Sequence, residues 1–263
     1  MVGRMKVAAV QFDIVTGQIE RNLEAVLAAL QRLRRHKVCL TVLPEMWSSG
    51  FDYRSLGQLA QKTPEVLETI ARHPAALDMV VVGSLPEYCD GDVYNTTFVL
   101  DRGRIAGRYR KLHLFSPMCE NRYMRAGNTA LVVETAAGRI GVAICYDLRF
   151  PELFRRLSLD GADLICLSAQ WPRPRQDHWQ TLIKARAIEN QVFMVAANNC
   201  GMQGKLDFFG NSMIVSPRGE VAAEGGDKPC EILAEIDGEA QQAYRQAIPA
   251  WKDRRPDVYG VLT

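Results

Sequence analysis

The chain alternates between short apolar runs and longer stretches in which apolar residues recur every three or four positions. Residues 7–12, 38–43, 79–82, 140–144, 162–169 and 192–197 are runs without helical period, bounded by polar or glycine-containing turns, and they predict buried strands. Between the first two, Ile19, Leu23, Val26, Leu27, Leu30 and Leu33 keep the spacing of an amphipathic helix over 19–35. Arg32, Arg34, Arg35 and Lys37 close it with cations that suit the negative end of the helix dipole. Strand, helix and strand in that order predict parallel pairing through a right-handed crossover. Further helices are predicted over 64–72, from Pro151, over 179–190 and near 238–247. Hairpins are predicted from 94–100 with 104–110, 131–134 with 140–144, and 213–216 with 221–224, followed by a strand at 232–236. Segment 117–128 reads as polar and irregular, and 249–263 as a tail without period that packs on another surface or subunit. This alternation is the pattern of an α/β protein.

Composition narrows the picture mainly by exclusion. The 263 residues contain no Pro/Ser-rich linker or charge block, so one domain over 1–263 is expected. A formal net charge of +2 gives no reason to expect a nucleic acid or an anionic membrane as partner. Seven cysteines without a Cys-x-x-Cys pair predict reduced thiols in a cytoplasmic protein and no metal site. Residues 1–6 lead into an apolar run too short for a signal peptide, and no stretch reaches the roughly 20 apolar residues of a membrane span. No Gly-x-Gly-x-x-Gly or Walker sequence occurs, so no nucleotide cofactor is expected.

The densest chemistry lies in 138–152, where an apolar run ends at Cys145-Tyr146-Asp147-Leu148-Arg149-Phe150-Pro151-Glu152. Phe150 is pushed out of helical geometry by Pro151, whereas proline fits the first turn of a helix. The chain must therefore bend between Cys145 and Pro151, presenting the thiol at a sheet end as a nucleophile elbow does. Alone, Cys145 reads as a buried thiol at the end of a strand. Glu45, just past the run 38–43 in Leu43-Pro44-Glu45, reads alone as a surface acid, and Lys111, after the hairpin, as a solvated lysine. Strand ends at one edge of a sheet nevertheless converge on a ligand-binding crevice.

Glu45, Lys111 and Cys145, in that order and within Pro-Glu, Tyr-Arg-Lys-x-His-Leu-Phe and Cys-Tyr-Asp-x-Arg-Phe-Pro-Glu, resemble the nitrilase superfamily of carbon-nitrogen hydrolases over most of the chain. The resemblance implies a four-layer α-β-β-α sandwich, a Glu-Lys-Cys triad, a thioester intermediate, no cofactor, and a homodimer or larger assembly. It implies that Glu120 is a second glutamate orienting the lysine or substrate, with the backbone N–H of Tyr146 beside Lys111 as an oxyanion donor. The segments 43–51 and 171–179, with 185–191 and 248–251, are similar to bacterial omega-amidases, which hydrolyse the terminal amide of 2-oxoglutaramate or 2-oxosuccinamate. That likeness makes Arg175, with Arg173 second, the expected holder of a substrate carboxylate, and places Phe51 and Trp171 at the pocket. Arg149 is expected to brace the elbow through an internal carboxylate. His113 is expected to pack structurally, and His178 to hydrogen-bond locally.

Overall fold

The computed structural model describes residues 3–260. It is built from two six-stranded sheets. The first takes β1 (Arg4–Gln11), β2 (Leu40–Val42), β3 (Val80–Cys89), β4 (Asp92–Asp101) and β5 (Arg104–Arg110), joined at its other edge by the late strand β14 (Cys230–Asp237). The second takes β6 (Val132–Thr135), β7 (Gly138–Ile144), β8 (Leu164–Ala169), β9 (Phe193–Asn198), β12 (Met213–Val215) and β13 (Val221–Glu224). A separate hairpin, β10 (Cys200–Gln203) with β11 (Leu206–Phe209), lies in sequence between β9 and β12 of the second sheet. The helices are α1 (Ile19–Arg35), α2 (Leu56–Gln61), α3 (Thr63–Arg72), α4 (Glu120–Tyr123), α5 (Pro151–Leu159), α6 (Gln176–Asn190), α7 (Gly238–Ala247) and α8 (Pro256–Tyr259).

The side-chain period of two explains the layering. On β1, Val7 and Ala9 face β9 and β12 across the seam between sheets, in one core with Val42, Val82, Ile140, Val142 and Leu164. Ala8 and Val10 point the other way, into a second core with Val26, Leu30 and Leu33 of α1 and Val66 and Ile70 of α3. The far face of the second sheet is covered by Phe154 and Leu157 of α5 and Trp179 and Ile183 of α6. Helix, sheet, sheet and helix thus form the four layers, and both faces of the central strands are dry, which is why they read as unbroken apolar runs.

Two sets of parallel strands, β1-β2-β3 and β7-β8-β9, bring their C-terminal ends to one edge of the sandwich. β5 runs antiparallel to β4, and β4 to β3, so the end of β5 reaches the same edge. The functional side chains leave the strands there. The sequence missed α2, the β10–β11 hairpin and the short α4 inside the supposedly irregular 117–128. Segment 249–252 lies on its own chain, where Trp251 Nε1 donates to Asn190 O at 3.2 Å and its ring lies 4.3 Å from the Arg245 guanidinium. Residues 261–263 of the expected tail lie outside the described residues. Among the described residues, no helix is long and apolar enough to cross a membrane.

Candidate active site

Glu45 sits one turn past β2, where Met46 adopts a left-handed backbone (φ 45°) and donates its N–H to Ser84 Oγ at 2.8 Å. Lys111 follows β5 directly, its N–H donating to Asn95 O and its carbonyl accepting from Gly127 N, both at 2.9 Å. A Cβ on Gly127 would meet Arg110 O at 2.2 Å, so only glycine lets the strand approach this closely. Cys145 ends β7 with φ 44°, a left-handed conformation costing about 1 to 3 kcal/mol for a residue with a Cβ.

Asp147 holds that strained elbow. Fully buried, it accepts Ile144 N at 2.9 Å, Tyr109 Oη at 2.7 Å, and both His113 N (3.1 Å) and His113 Nδ1 (2.7 Å). His113 also stacks on Phe150 at 3.6 Å, so its role is structural, as expected. The arginine bracing the elbow is not Arg149 but Arg186 on α6, whose Nε and Nη2 donate to Leu148 O at 3.1 and 2.9 Å. Asp147 has its acceptor positions filled by neighbours distant in sequence, which leaves Arg149 free to turn outward. The Arg149 guanidinium lies 5.0 Å from the Trp171 ring and 3.1 Å from His178 Nδ1, on the wall of the cleft that contains Cys145.

Glu45, Lys111 and Glu120 form one buried ionic cluster. Lys111 Nζ lies 2.7 Å from Glu45 Oε1 and 2.9 Å from each oxygen of Glu120. Glu45 Oε1 also accepts Asn95 Nδ2 at 2.8 Å, and its Oε2 accepts Gln170 N at 3.0 Å. Gln170 Nε2 donates to Glu45 O at 2.9 Å, and Glu45 N to Ala169 O at 3.3 Å, so the end of β8 is stitched to the loop after β2. Glu120 Oε2 takes a further bond from Phe115 N at 3.0 Å. Glu45 and Lys111 are 0% exposed and Glu120 2%, whereas Cys145 keeps 9%, enough for its sulfur to face the cleft.

Two carboxylates against one ammonium leave the cluster with one excess negative charge, which sets the protonation pattern. Burial and the Glu45 charge push the Cys145 thiol well above its ordinary range, with Lys111 acting against them. Burial raises Glu45 as well, opposed by Lys111 and supported by Glu120. Burial pulls Lys111 down, but Glu45 and Glu120 outweigh it and keep the ammonium protonated. The resting sulfur is therefore a thiol beside a carboxylate of raised basicity, rather than a thiolate stabilised by the lysine. Such an arrangement suits proton transfer from sulfur to Glu45 as a bond to carbon forms.

The cleft above the sulfur is walled by Phe51, Phe115, Met118, Tyr146, Trp171, Arg149 and Arg175. It encloses about 20 Å³ of free space, room for about one water, so a substrate must part these side chains on entry. Arg175 lies 5.4 Å from the Phe115 ring, and its carbonyl accepts Trp171 Nε1 at 2.8 Å. Arg173 points away: it pairs with Asp207 on β11, not with the neighbouring Asp177 and not with the cleft. Of the expected residues, the structure gathers Glu45, Lys111, Cys145, Glu120, Tyr146, Arg175, Trp171 and Phe51, and leaves Arg173 outside. A much larger hollow of about 1040 Å³ opens at the opposite end of the sandwich, but it contains no residue of this cluster. Arg4 there pairs with Asp237 at 3.0 Å, and Arg245 Nε donates to Gln191 O at 3.0 Å.

A double sheet presenting a strained cysteine at the edge where a buried glutamate and lysine meet is the arrangement of a hydrolase of carbon-nitrogen bonds. The chain belongs to the carbon-nitrogen hydrolase family, whose model matches residues 6–246, and its bonds of action are carbon-nitrogen bonds other than peptide bonds. It is 38% identical over 256 residues to a 2-oxoglutaramate amidase of Bacillus subtilis, covering 96% of this chain and 98% of that one. It is 35% identical to omega-amidase YafV of Escherichia coli K12, covering 81% of this chain and 82% of that one. The fold superposes on a carbon-nitrogen hydrolase of Helicobacter pylori with a TM-score of 0.90 at 26% identity, covering 97% of each chain.

Proposed function

We propose that the protein is a cysteine-dependent amidohydrolase releasing ammonia from the terminal amide of a small dicarboxylate monoamide, such as 2-oxoglutaramate or 2-oxosuccinamate. One observation carries this reading. Arg149 and Arg175 face the Cys145 cleft, and neither forms an ion pair with a carboxylate among the described residues. Glu120, the only acid on the wall among the described residues, is already bonded to Lys111. Two guanidiniums without counter-charge in an otherwise aromatic cleft suit a substrate that brings its own carboxylate. The likeness to relatives named for omega-amidase and 2-oxoglutaramate amidase activity supports the same choice.

In this reading, Glu45 accepts the thiol proton while Cys145 Sγ bonds to the amide carbon. The carbonyl electrons move to oxygen, where Lys111 Nζ and the Tyr146 N–H meet them. As Glu45 becomes neutral its hold on Lys111 weakens, so an N–H is freed at the moment the oxyanion appears. Collapse breaks the C–N bond, Glu45 returns its proton to the departing ammonia, and a thioester remains on Cys145. Glu45 then takes a proton from water as its oxygen attacks the thioester, and the expelled sulfur recovers that proton, releasing the oxo acid. Exposed Ile188 on α6, with Ile248, Val258 and Tyr259 beyond α7, offers apolar side chains for the expected homodimer.

The test is ammonia release across 2-oxoglutaramate, 2-oxosuccinamate, glutaramate, N-carbamoyl amino acids, aliphatic amides and simple nitriles. It is paired with an intact-mass search for a thioester adduct present in the native chain and absent in Cys145→Ala. Preference for a neutral amide, a carbamoyl compound or a nitrile would replace the dicarboxylate assignment with another activity of the family.

A further inference from the structure

Asn95 on β4 is fully enclosed and bonds to both charged partners of the site. Its backbone carbonyl accepts Lys111 N–H at 2.9 Å, and its side-chain Nδ2 donates to Glu45 Oε1 at 2.8 Å. The other end of the amide makes no bond, since Oδ1 is enclosed and has no hydrogen-bond partner among the described residues. β4 is paired on one side with β3 and on the other with β5, so the amide is carried by an interior strand rather than a loop.

An orphaned buried carbonyl costs stability, and leucine would occupy similar space without it. What the amide supplies in return is one N–H aimed at Glu45. The carboxylate receiving it has two unlike oxygens. Oε1 accepts two donors, Lys111 Nζ at 2.7 Å and Asn95 Nδ2 at 2.8 Å, whereas Oε2 accepts one, Gln170 N at 3.0 Å. Each carboxylate oxygen has two lone-pair positions, so Oε1 is filled and Oε2 keeps one open. Gln170 also marks where the sulfur lies, because its carbonyl is 3.8 Å from Cys145 Sγ and both residues line the cleft. The oxygen with the open lone pair therefore belongs to the sulfur side of the carboxylate. Burial, then the Glu45 charge, hold the proton on Cys145, and a hydrogen bond from the thiol to Glu45 adds to them.

We propose, resting on the amidase reading above, that Asn95 is a positioning residue for the base: together with Lys111 it occupies Glu45 Oε1, so that Oε2 is the oxygen that takes the thiol proton. Asn95 touches neither substrate nor sulfur and gives up no proton during turnover. Its amide fixes the rotation of the carboxylate and favours the ionised form until the thiol proton arrives.

Two variants test this. Asn95→Leu keeps similar bulk and removes the donor together with the orphaned carbonyl. Asn95→Thr, of similar volume and suited to a strand, has a hydroxyl too short to reach Glu45, and it decides the matter alone if leucine does not fold. The expected result is a KM within about twofold, because Asn95 is not on the cleft wall, with kcat about 5- to 30-fold lower. The acid limb of kcat/KM moves to higher pH, because a carboxylate that has lost a donor holds its proton more tightly and is ionised only in more alkaline solution. Wild-type kcat with an unmoved limb in either folded variant would overturn the proposal. A lower melting temperature with the limb in place would overturn it too, since Asn95 would then serve the strand and not the base. So would a loss confined to KM, which would assign the amide to substrate binding. Failure of the amidase reading looks different. A wild-type chain that releases no ammonia and forms no adduct on Cys145 removes both proposals, whereas an active wild type with indifferent Asn95 variants removes only this one.

Discussion

Replacing Glu120 with glutamine tests whether the excess negative charge of the buried cluster governs the chemistry. The substitution keeps the shape, and the new amide oxygen can still accept Phe115 N–H or face Lys111, but one charge leaves. The Glu45 and Glu120 carboxylates share one ammonium, so they lie on the order of 5 Å apart. At an effective dielectric near 20 their repulsion is about 3 kcal/mol. Glu120 is one of the groups raising Glu45, so its neutralisation must lower the Glu45 pKa. In the proposed mechanism Glu45 acts as a base only when ionised, so activity is lost as pH falls through its pKa, and Glu120→Gln moves the acid limb of kcat/KM to lower pH. The weaker base also lowers the plateau, by about 10- to 100-fold. Coupling ammonia release to a dehydrogenase between about pH 5 and about pH 10 resolves both effects. A limb that stays in place, or moves upward, would refute the idea that the second glutamate tunes the first through its charge.

Alkylation of Cys145 by iodoacetamide should be slow at neutral pH and show no inflection near the ordinary thiol value of 9.0, because the folded sulfur titrates well above it; a titration there would indicate a preformed thiolate. Arg175→Ala and Arg149→Ala should each raise KM for 2-oxoglutaramate about 30- to 1000-fold while sparing a neutral aliphatic amide, and equal losses on both substrates would remove the carboxylate assignment. Arg186→Met, which deletes both bonds to Leu148 O, should lower stability by about 2 to 3 kcal/mol in denaturant titration and reduce kcat, because the elbow is no longer braced. In Lys111→Met the Glu45 and Glu120 carboxylates face each other without a cation, so turnover should fall by at least about 1000-fold and mass spectrometry should find no thioester.

The placing of Glu45, Lys111 and Cys145 at one sheet edge, and most strands, were legible because each rests on a local pattern: an apolar run, a turn, and a charged or thiol-bearing residue just beyond. What the sequence could not supply was which of two arginines reaches a given carbonyl or carboxylate. Arg149 lies next to the elbow in sequence, yet Arg186 from α6 reaches Leu148, because α6 packs across the turn and Asp147 is already occupied by Tyr109 and His113. Arg173 and Arg175 stand two residues apart on a 3-10 turn, and the fold sends one to Asp207 and the other to the cleft. Asp207 belongs to the hairpin that went unseen, although Gly204-Lys205 between Met202 and Leu206 was a usable turn signal. Glu120 lay in a stretch without period, and its placement depends on a left-handed Cys119 (φ 58°) that no pattern of apolar residues announces.

The stitching of Glu45 to Gln170 and Ala169 has a consequence for how the protein wears out. Glu45 and Cys145 ride on opposite slabs of the sandwich, so their spacing is a caliper reading of how the slabs are seated. Warming or mild denaturant that lets one slab creep over the other by a fraction of an ångström would silence turnover while every strand remains intact. Loss of catalysis should therefore run ahead of loss of circular dichroism, and ageing samples should fail by drift before they fail by melting.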